Sequence, residues 1–218
     1  MSDVAASTHI PDYGWQSEAA EQSHDYLQPV VLSAIRALAP VRSGPVRVFD
    51  AGCGNGALLR KLQLSGYDVA GCDASESGVA LARKSCGEGV HVERLSVYDN
   101  LSGVFGGNWD VVVSTEVIEH LYAPRDFVRQ VRDLIRPGGA LILSTPYHGY
   151  CKNLVLAATG VLDRHFTALW DGGHIKFWSY ATLTQLLSEF GFQKFWFRGA
   201  GRFPPLWKSM VLVAHKPE

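Results

Sequence analysis

No excess of either charge marks this chain: 20 Lys and Arg stand against 21 Asp and Glu, a formal net charge of −1. The basic stripe that a nucleic-acid partner would need is not indicated, so none is expected. Cysteine is scarce, four in 218 residues, and Cys53, Cys72, Cys86 and Cys151 form no C-x-x-C pair. That argues against a disulfide scaffold or a zinc ribbon and for reduced thiols. No apolar run approaches the length of a membrane span. The opening stretch, MSDVAASTHIPDYGW, lacks a basic-then-apolar leader, and the chain carries no internal repeat or low-complexity tract. The expectation is a single cytoplasmic domain over residues 1–218, long enough to bury a full core.

Short apolar runs alternate with helical patterns. Strands are expected at Pro45–Gly52, Tyr67–Ser75, Val90–Val97, Trp109–Val117 and Ala140–Pro146. Helices are expected at Gly56–Gly66, Glu76–Ser85, Pro124–Ile135 and Ser179–Phe192, the third ended by Arg136–Gly139. Two last strands, Phe192–Gly199 and Lys208–Lys216, are close enough along the chain to pair antiparallel. This alternation predicts an α/β fold with a doubly wound, mostly parallel seven-stranded sheet and an antiparallel last strand. Two segments fall outside it. The N-terminal stretch, residues 1–39, contains a helical pattern from Trp15 to Leu38 and is expected to act as a lid. Residues 147–178, rich in His and aromatics, form a second lid inserted at the ligand edge of the sheet.

The first strand runs into Asp50-Ala51-Gly52-Cys53-Gly54-Asn55-Gly56-Ala57. Glycines there let a ligand approach the main chain, and Gly52, Gly54 and Ala57 satisfy the dinucleotide pattern G-x-G-x-x-A. Asp73 ends the second strand about 20 residues on, where a carboxylate can hold ribose hydroxyls. Asp50 shifts the balance. A carboxylate beside the loop repels a pyrophosphate but suits S-adenosylmethionine, which has an ammonium and a sulfonium and no phosphate.

Asp50 to Gly56, with Asp73, resemble the first two motifs of class I S-adenosylmethionine-dependent methyltransferases. The runs Leu95–Asp99, Phe105–Leu121, Leu134–Pro146 and Thr182–Phe192 come in that family's order. STEVIEHL (114–121) together with GGHIKFWS (172–179) resembles the ubiquinone-biosynthesis-type O-methyltransferases. The resemblance, over Val46–Phe192, implies a Rossmann-like fold and methyl transfer to a small molecule at a hydroxyl oxygen. By position, Asp50, Gly52 and Gly54 would border the cofactor's methionine part, and Asp73 its ribose. Ser96 and Val97 would flank the adenine, and Ser114, Thr115 and Glu116 would close over the amino-acid end. Many members carry an acid where Ser96 stands. Two other readings stay open: a nicotinamide-dependent oxidoreductase, and a cofactor-binding protein without turnover.

A hydroxyl acceptor must lose its proton to a base or a metal ion. Glu116, Glu119 and His120 stand at i, i+3 and i+4 and would share one face of a helix. They are metal-ligand candidates for a divalent cation, although none is expected to be required. His120, His148 and His174 are the candidate bases, and Asp171 is placed to orient His174. The aromatics Tyr147, Tyr150, Phe166, Trp170, Phe177 and Trp178 point to an apolar or aromatic acceptor. Asn153–Leu162 is too short to span a bilayer but could lean on a membrane.

Overall fold

A computed structural model describes residues 22–38, 44–162, 166, 169, 170 and 172–218. Most of the expected N-terminal lid, and Asp171 with its expected role, therefore lie outside the described residues. The strands are β1 (Arg47–Ala51), β2 (Asp68–Asp73), β3 (His91–Arg94), β4 (Trp109–Thr115), β5 (Ile135–Pro146), β6 (Gln193–Ala200) and β7 (Ser209–His215). They form one seven-stranded sheet in the order β3-β2-β1-β4-β5-β7-β6. Pairings among the first five are parallel, while β7 runs antiparallel to both its neighbours. The order reverses between β1 and β4, so the glycine loop after β1 leaves the sheet at its switch point, where doubly wound folds take ligands.

Strand residues alternate between two cores because side-chain direction has a period of two. Val48, Val69, Val111, Val113, Ile142, Val211 and Val213 face one side, under α1 (Gln22–Leu38), α2 (Ala57–Leu64) and α3 (Glu76–Cys86). Phe49, Ala70, Val112, Leu141, Leu143, Leu212 and Ala214 face the other. That side is covered by α4 (Leu101–Phe105), α5 (Pro124–Leu134) and α7 (Tyr180–Glu189). Helix α6 (Tyr150–Ala158) belongs to the second lid. Ser179 starts α7 with a reciprocal capping box to Thr182, which satisfies backbone donors that a helix start leaves open.

Two local expectations need correction, and one short helix is unexpected. Arg136–Gly139 does not separate α5 from the next strand; it lies inside β5, which begins at Ile135 with a register shift opposite Trp109 and Val111. Leu101–Phe105 forms a short helix, capped by Asn100 accepting from the Gly103 N–H. Finally, EVIEHL is not an α-helix: only Ile118–His120 coil, as one 3₁₀ turn, and Glu116 sits at φ +54°. Its premise of one shared helical face therefore fails.

Candidate active site

The glycine loop is shaped by contact as much as by freedom. Gly52 has φ +85°, and a Cβ there would stand 2.5 Å from a Val117 methyl. Gly56 has φ +78° at the head of α2, and a Cβ would meet Ala82 of α3 at 2.7 Å. Both positions exclude a side chain twice over, by backbone conformation and by space. The Gly54 N–H donates to Asp73 Oδ2 at 2.8 Å, and the Ser75 N–H donates to Oδ1 at 2.8 Å. The carboxylate that ends β2 is thus pinned against the loop after β1.

Asp50 is 1% exposed, and its Oδ1 has no hydrogen-bond partner. Burial, reinforced by the charge of Asp73, pushes its carboxyl up to about 8. An orphaned buried carboxylate beside a glycine loop fits a cationic ligand group. A cleft lies at the same edge, lined by Leu27, Gln28 and Val31 of α1, Leu58 of α2 and Thr115 of β4. Helix α1, the described part of the N-terminal lid, therefore forms one of its walls. Ser114 is turned away from the cleft in hydrogen-bonding terms: its Oγ donates to the Ala51 carbonyl at 2.6 Å. Ser96 is engaged in a local turn, its N–H donating to Asp99 Oδ2 and its Oγ accepting from the Tyr98 N–H. Val97 is buried within the second core.

At the mouth of β4, the sequence candidates separate into two groups. Glu116 accepts from Ser144 Oγ at 2.8 Å through Oε1 and from Ser209 Oγ at 3.2 Å through Oε2. Desolvation pushes its carboxyl up to about 7 against those two hydroxyl bonds and the Lys152 ammonium. Glu119, His120 and His174 form the other group, with one potential ligand atom from each lying within 4.8 Å of the others. Glu119 is 1% exposed with neither carboxylate oxygen hydrogen-bonded. Burial, then the charge of Glu116, holds its carboxyl well above the usual range.

The second lid is stitched onto this 3₁₀ turn. The Ile175 and Lys176 N–H groups both donate to the Glu119 carbonyl, and Trp178 Nε1 donates to the Ile118 carbonyl. His120 Nδ1 lies 2.7 Å from the Gly172 carbonyl and 3.3 Å from that of Gly173. A carbonyl can only accept, so Nδ1 is the donor in this contact. The rings of His174 and Trp170 stand 4.9 and 5.6 Å from that imidazole. His148 is elsewhere, 8% exposed and edge-on to Phe177 at 5.1 Å.

The methyltransferase domain family matches residues 23–195, more than half of the chain. The chain belongs to that family. It carries an S-adenosylmethionine-dependent methyltransferase domain, and nothing in its relatives supports the nicotinamide alternative. A ubiquinone biosynthesis O-methyltransferase of Caulobacter sp. (strain K31) is 31% identical over 171 residues, covering 73% of this chain and 68% of that one. Its counterpart in Bordetella avium (strain 197N) is 34% identical over 133 residues, 60% of this chain and 55% of the relative. The Sinorhizobium medicae (strain WSM419) protein of the same name matches at 36% over 101 residues, 46% of this chain, and only 41% of its own length is spanned. Among solved structures, magnesium protoporphyrin IX methyltransferase from Synechocystis PCC 6803 with bound SAH has a TM-score of 0.62. It is 22% identical, with 86% of this chain and 81% of that one covered. The Burkholderia thailandensis 1,6-didemethyltoxoflavin-N1-methyltransferase gives a TM-score of 0.65 at 17% identity, covering 88% and 78%. These two similarities speak for the fold.

Ser144, Thr145, Lys152 and Ser209 escape a reading of the sequence. All four are buried at this edge, yet each sits in a strand or lid helix with no local motif around it. Lys152 is 5% exposed, its Nζ donates to the Lys208 carbonyl at 3.3 Å, and burial pulls it down to about 8. Only the apolar company of Lys152 in YCKNLVLAA hinted that its helix would cover it.

Proposed function

We propose that the protein transfers a methyl group from S-adenosylmethionine to a hydroxyl oxygen of a small, apolar or aromatic acceptor. The observation that carries this is the anchoring of His120 Nδ1 by the Gly172 carbonyl at 2.7 Å, which holds the imidazole beside His174 and Trp170 at the mouth of β4. Bound beside the glycine loop, S-adenosylmethionine supplies a methyl group already activated on a sulfonium. Asp50 offers its unpartnered oxygen to the cofactor's ammonium, and Asp73 holds the ribose. Gly52 and Gly54 let the main chain approach, Thr115 lines the amino-acid end, and Ser96 with Val97 marks the adenine side. His120 Nε2 takes the acceptor's proton as the new bond forms, and positioning supplies much of the remaining rate. His174 and Trp170 wall the acceptor side.

Glu119, His120 and His174 also suit a divalent ion, which would activate the acceptor oxygen in place of a free base. Glu116, tied to two serines, is the weaker ligand. Turnover that survives exhaustive chelation would assign the proton to His120 alone. The second lid exposes Tyr150, Leu154 and Leu169, apolar side chains suited to an acceptor carried in or against a lipid layer. No helix among the described residues is long and apolar enough to cross a membrane. The buried thiols of Cys53, Cys72 and Cys86 are unpaired, which favours the reducing cytoplasm.

The test is a screen of simple phenols and catechols with methyl-labelled S-adenosylmethionine. O-methylated product from the unmodified protein, lost in His120→Ala, is the expected result. Product methylated at nitrogen or carbon would contradict the oxygen assignment.

A further inference from the structure

The cleft between α1 and the end of β4 is backed by a chain of polar side chains. Glu116 comes directly after Thr115, which lines the cleft, and Tyr26 directly precedes Leu27 and Gln28, which line it from α1. Between Tyr26 and Glu116 stands Ser209, 1% exposed at the start of β7. The bond from Ser209 to Glu116 sets the polarity of the chain. Ser209 Oγ donates its one hydrogen to Oε2 at 3.2 Å. The hydroxyl oxygen of Ser209 is then the acceptor for Tyr26 O–H, at 3.3 Å. Ser144 Oγ completes the other side of the carboxylate at 2.8 Å.

The two ends of this chain are held with care. Glu116 takes φ +54° and donates its own N–H to the Ser144 carbonyl at 3.1 Å. A non-glycine residue keeps that conformation only where its surroundings over-determine it. At the other end, the Lys208 ammonium lies 5.0 Å over the Tyr26 ring. Gly201 closes on the ring edge so tightly that a Cβ would stand 3.1 Å from Tyr26 Cδ2. The rest of α1 is apolar where it meets the sheet, through Leu27, Val31 and Ile35, and apolar contact does not fix a helix in one register. Two polar ties hold the turn of α1 that borders the cleft: Tyr26 with Ser209, and Gln28 Oε1 accepting from Lys61 Nζ of α2 at 3.1 Å.

We propose that Tyr26 and Ser209 are positioning residues for the cofactor, holding α1 shut over the cleft through their hydrogen-bonded chain to Glu116. The inference deepens the proposed cofactor reading and rests on it. A wall fixed before the ligand arrives loses no ordering entropy on binding, so breaking the chain costs affinity without removing a ligand contact.

The test is calorimetric titration of S-adenosylhomocysteine into the unmodified protein, Tyr26→Phe, Ser209→Ala and the double variant, with melting of each unliganded protein alongside. Each single variant is expected to bind about 3- to 10-fold more weakly, the scale of one internal hydrogen bond. The double variant should bind no more weakly than the worse single, because either change breaks the same chain. Unchanged affinity in Tyr26→Phe overturns the proposal, even if melting is lowered, since that is a purely structural tyrosine. Fully additive losses also overturn it, as two independent contacts. If Ser209→Ala does not fold, Tyr26→Phe alone decides. Failure of the unmodified protein to bind S-adenosylhomocysteine would instead overturn the cofactor reading, and this proposal with it.

Discussion

The two ends of the sheet treat buried carboxylates in opposite ways. At the amino-terminal edge, Asp110 is 2% exposed and both its oxygens are used: the Arg47 N–H donates to Oδ2 at 2.8 Å and Arg136 Nε to Oδ1 at 2.8 Å. At the carboxyl-terminal edge, Asp50 and Glu119 are just as buried, yet three of their four oxygens have no partner. A fold that can pair one buried acid so completely has the means to pair the others. Carboxylates left unpaired at the ligand edge are placed for groups that arrive from outside, at a cost in stability of the unliganded chain. The first edge pairs its buried acid within the fold, and the second is the edge proposed for binding and chemistry.

Substitutions can sharpen or break that contrast. The largest effect is expected at the ligand edge, where His120→Ala should cut turnover by roughly 10²–10⁴-fold, the range of a lost general base. Its affinity for S-adenosylhomocysteine should stay near that of the unmodified protein; an equal loss of both would make the histidine structural. Next comes the opposite edge. Asp110→Ala leaves the inner Arg47 N–H unpaired and removes the partner of Arg136, so chemical denaturation should show a loss of about 3 kcal/mol. Asp50→Asn, equally buried, should show no such loss. Asp73→Ala is expected to weaken cofactor binding by roughly 1–3 kcal/mol, because it removes both the proposed ribose contact and the tie to Gly54.

The smallest effect is a pH dependence, and the raised acids set its sign. Asp50 rises from 3.8 unfolded to about 8 folded, and Glu116 from 4.5 to about 7. Between those values the folded chain holds protons that the unfolded chain has released, so stability falls as pH rises from about 4 to about 8; above that the lowered Lys152 contributes with the opposite sign. The share due to Asp50 between pH 7 and 8 is about 1 kcal/mol. Denaturation of the unliganded protein at the two pH values checks it. Asp50→Asn should remove that share, and an identical slope in the variant would place the raised carboxyl elsewhere.

Much of the frame was legible because its signals are local. Val111-Val112-Val113 and Leu141-Ile142-Leu143 read as strands buried on both faces, and Asp50, the glycines and Asp73 sit at a fixed spacing along the chain. The active edge was legible only in part. Glu116 looks like the first residue of a helix in EVIEHL, but Ser144 and Ser209, 28 and 93 positions away, draw it into a left-handed turn. The pairing of His120 with Gly172 spans 52 positions, and no periodicity reports on it. His174 and His148 look alike in sequence, yet the sheet places one beside Glu119 and packs the other beneath Phe177. Contacts of this kind depend on where the lid lands.

The central claim is that the orphaned carboxylate of Asp50 is the cofactor's ammonium site, and proton release tests it most directly. At pH 7 the buried carboxyl is mostly protonated, and a cation placed beside it favours the ionised form. Calorimetry of S-adenosylhomocysteine binding in two buffers of different ionisation enthalpy reads the protons exchanged. The account predicts net release in the unmodified protein, none in Asp50→Asn, and weaker binding in that variant. Tight binding with no proton release, or release that persists unchanged in Asp50→Asn, would contradict it.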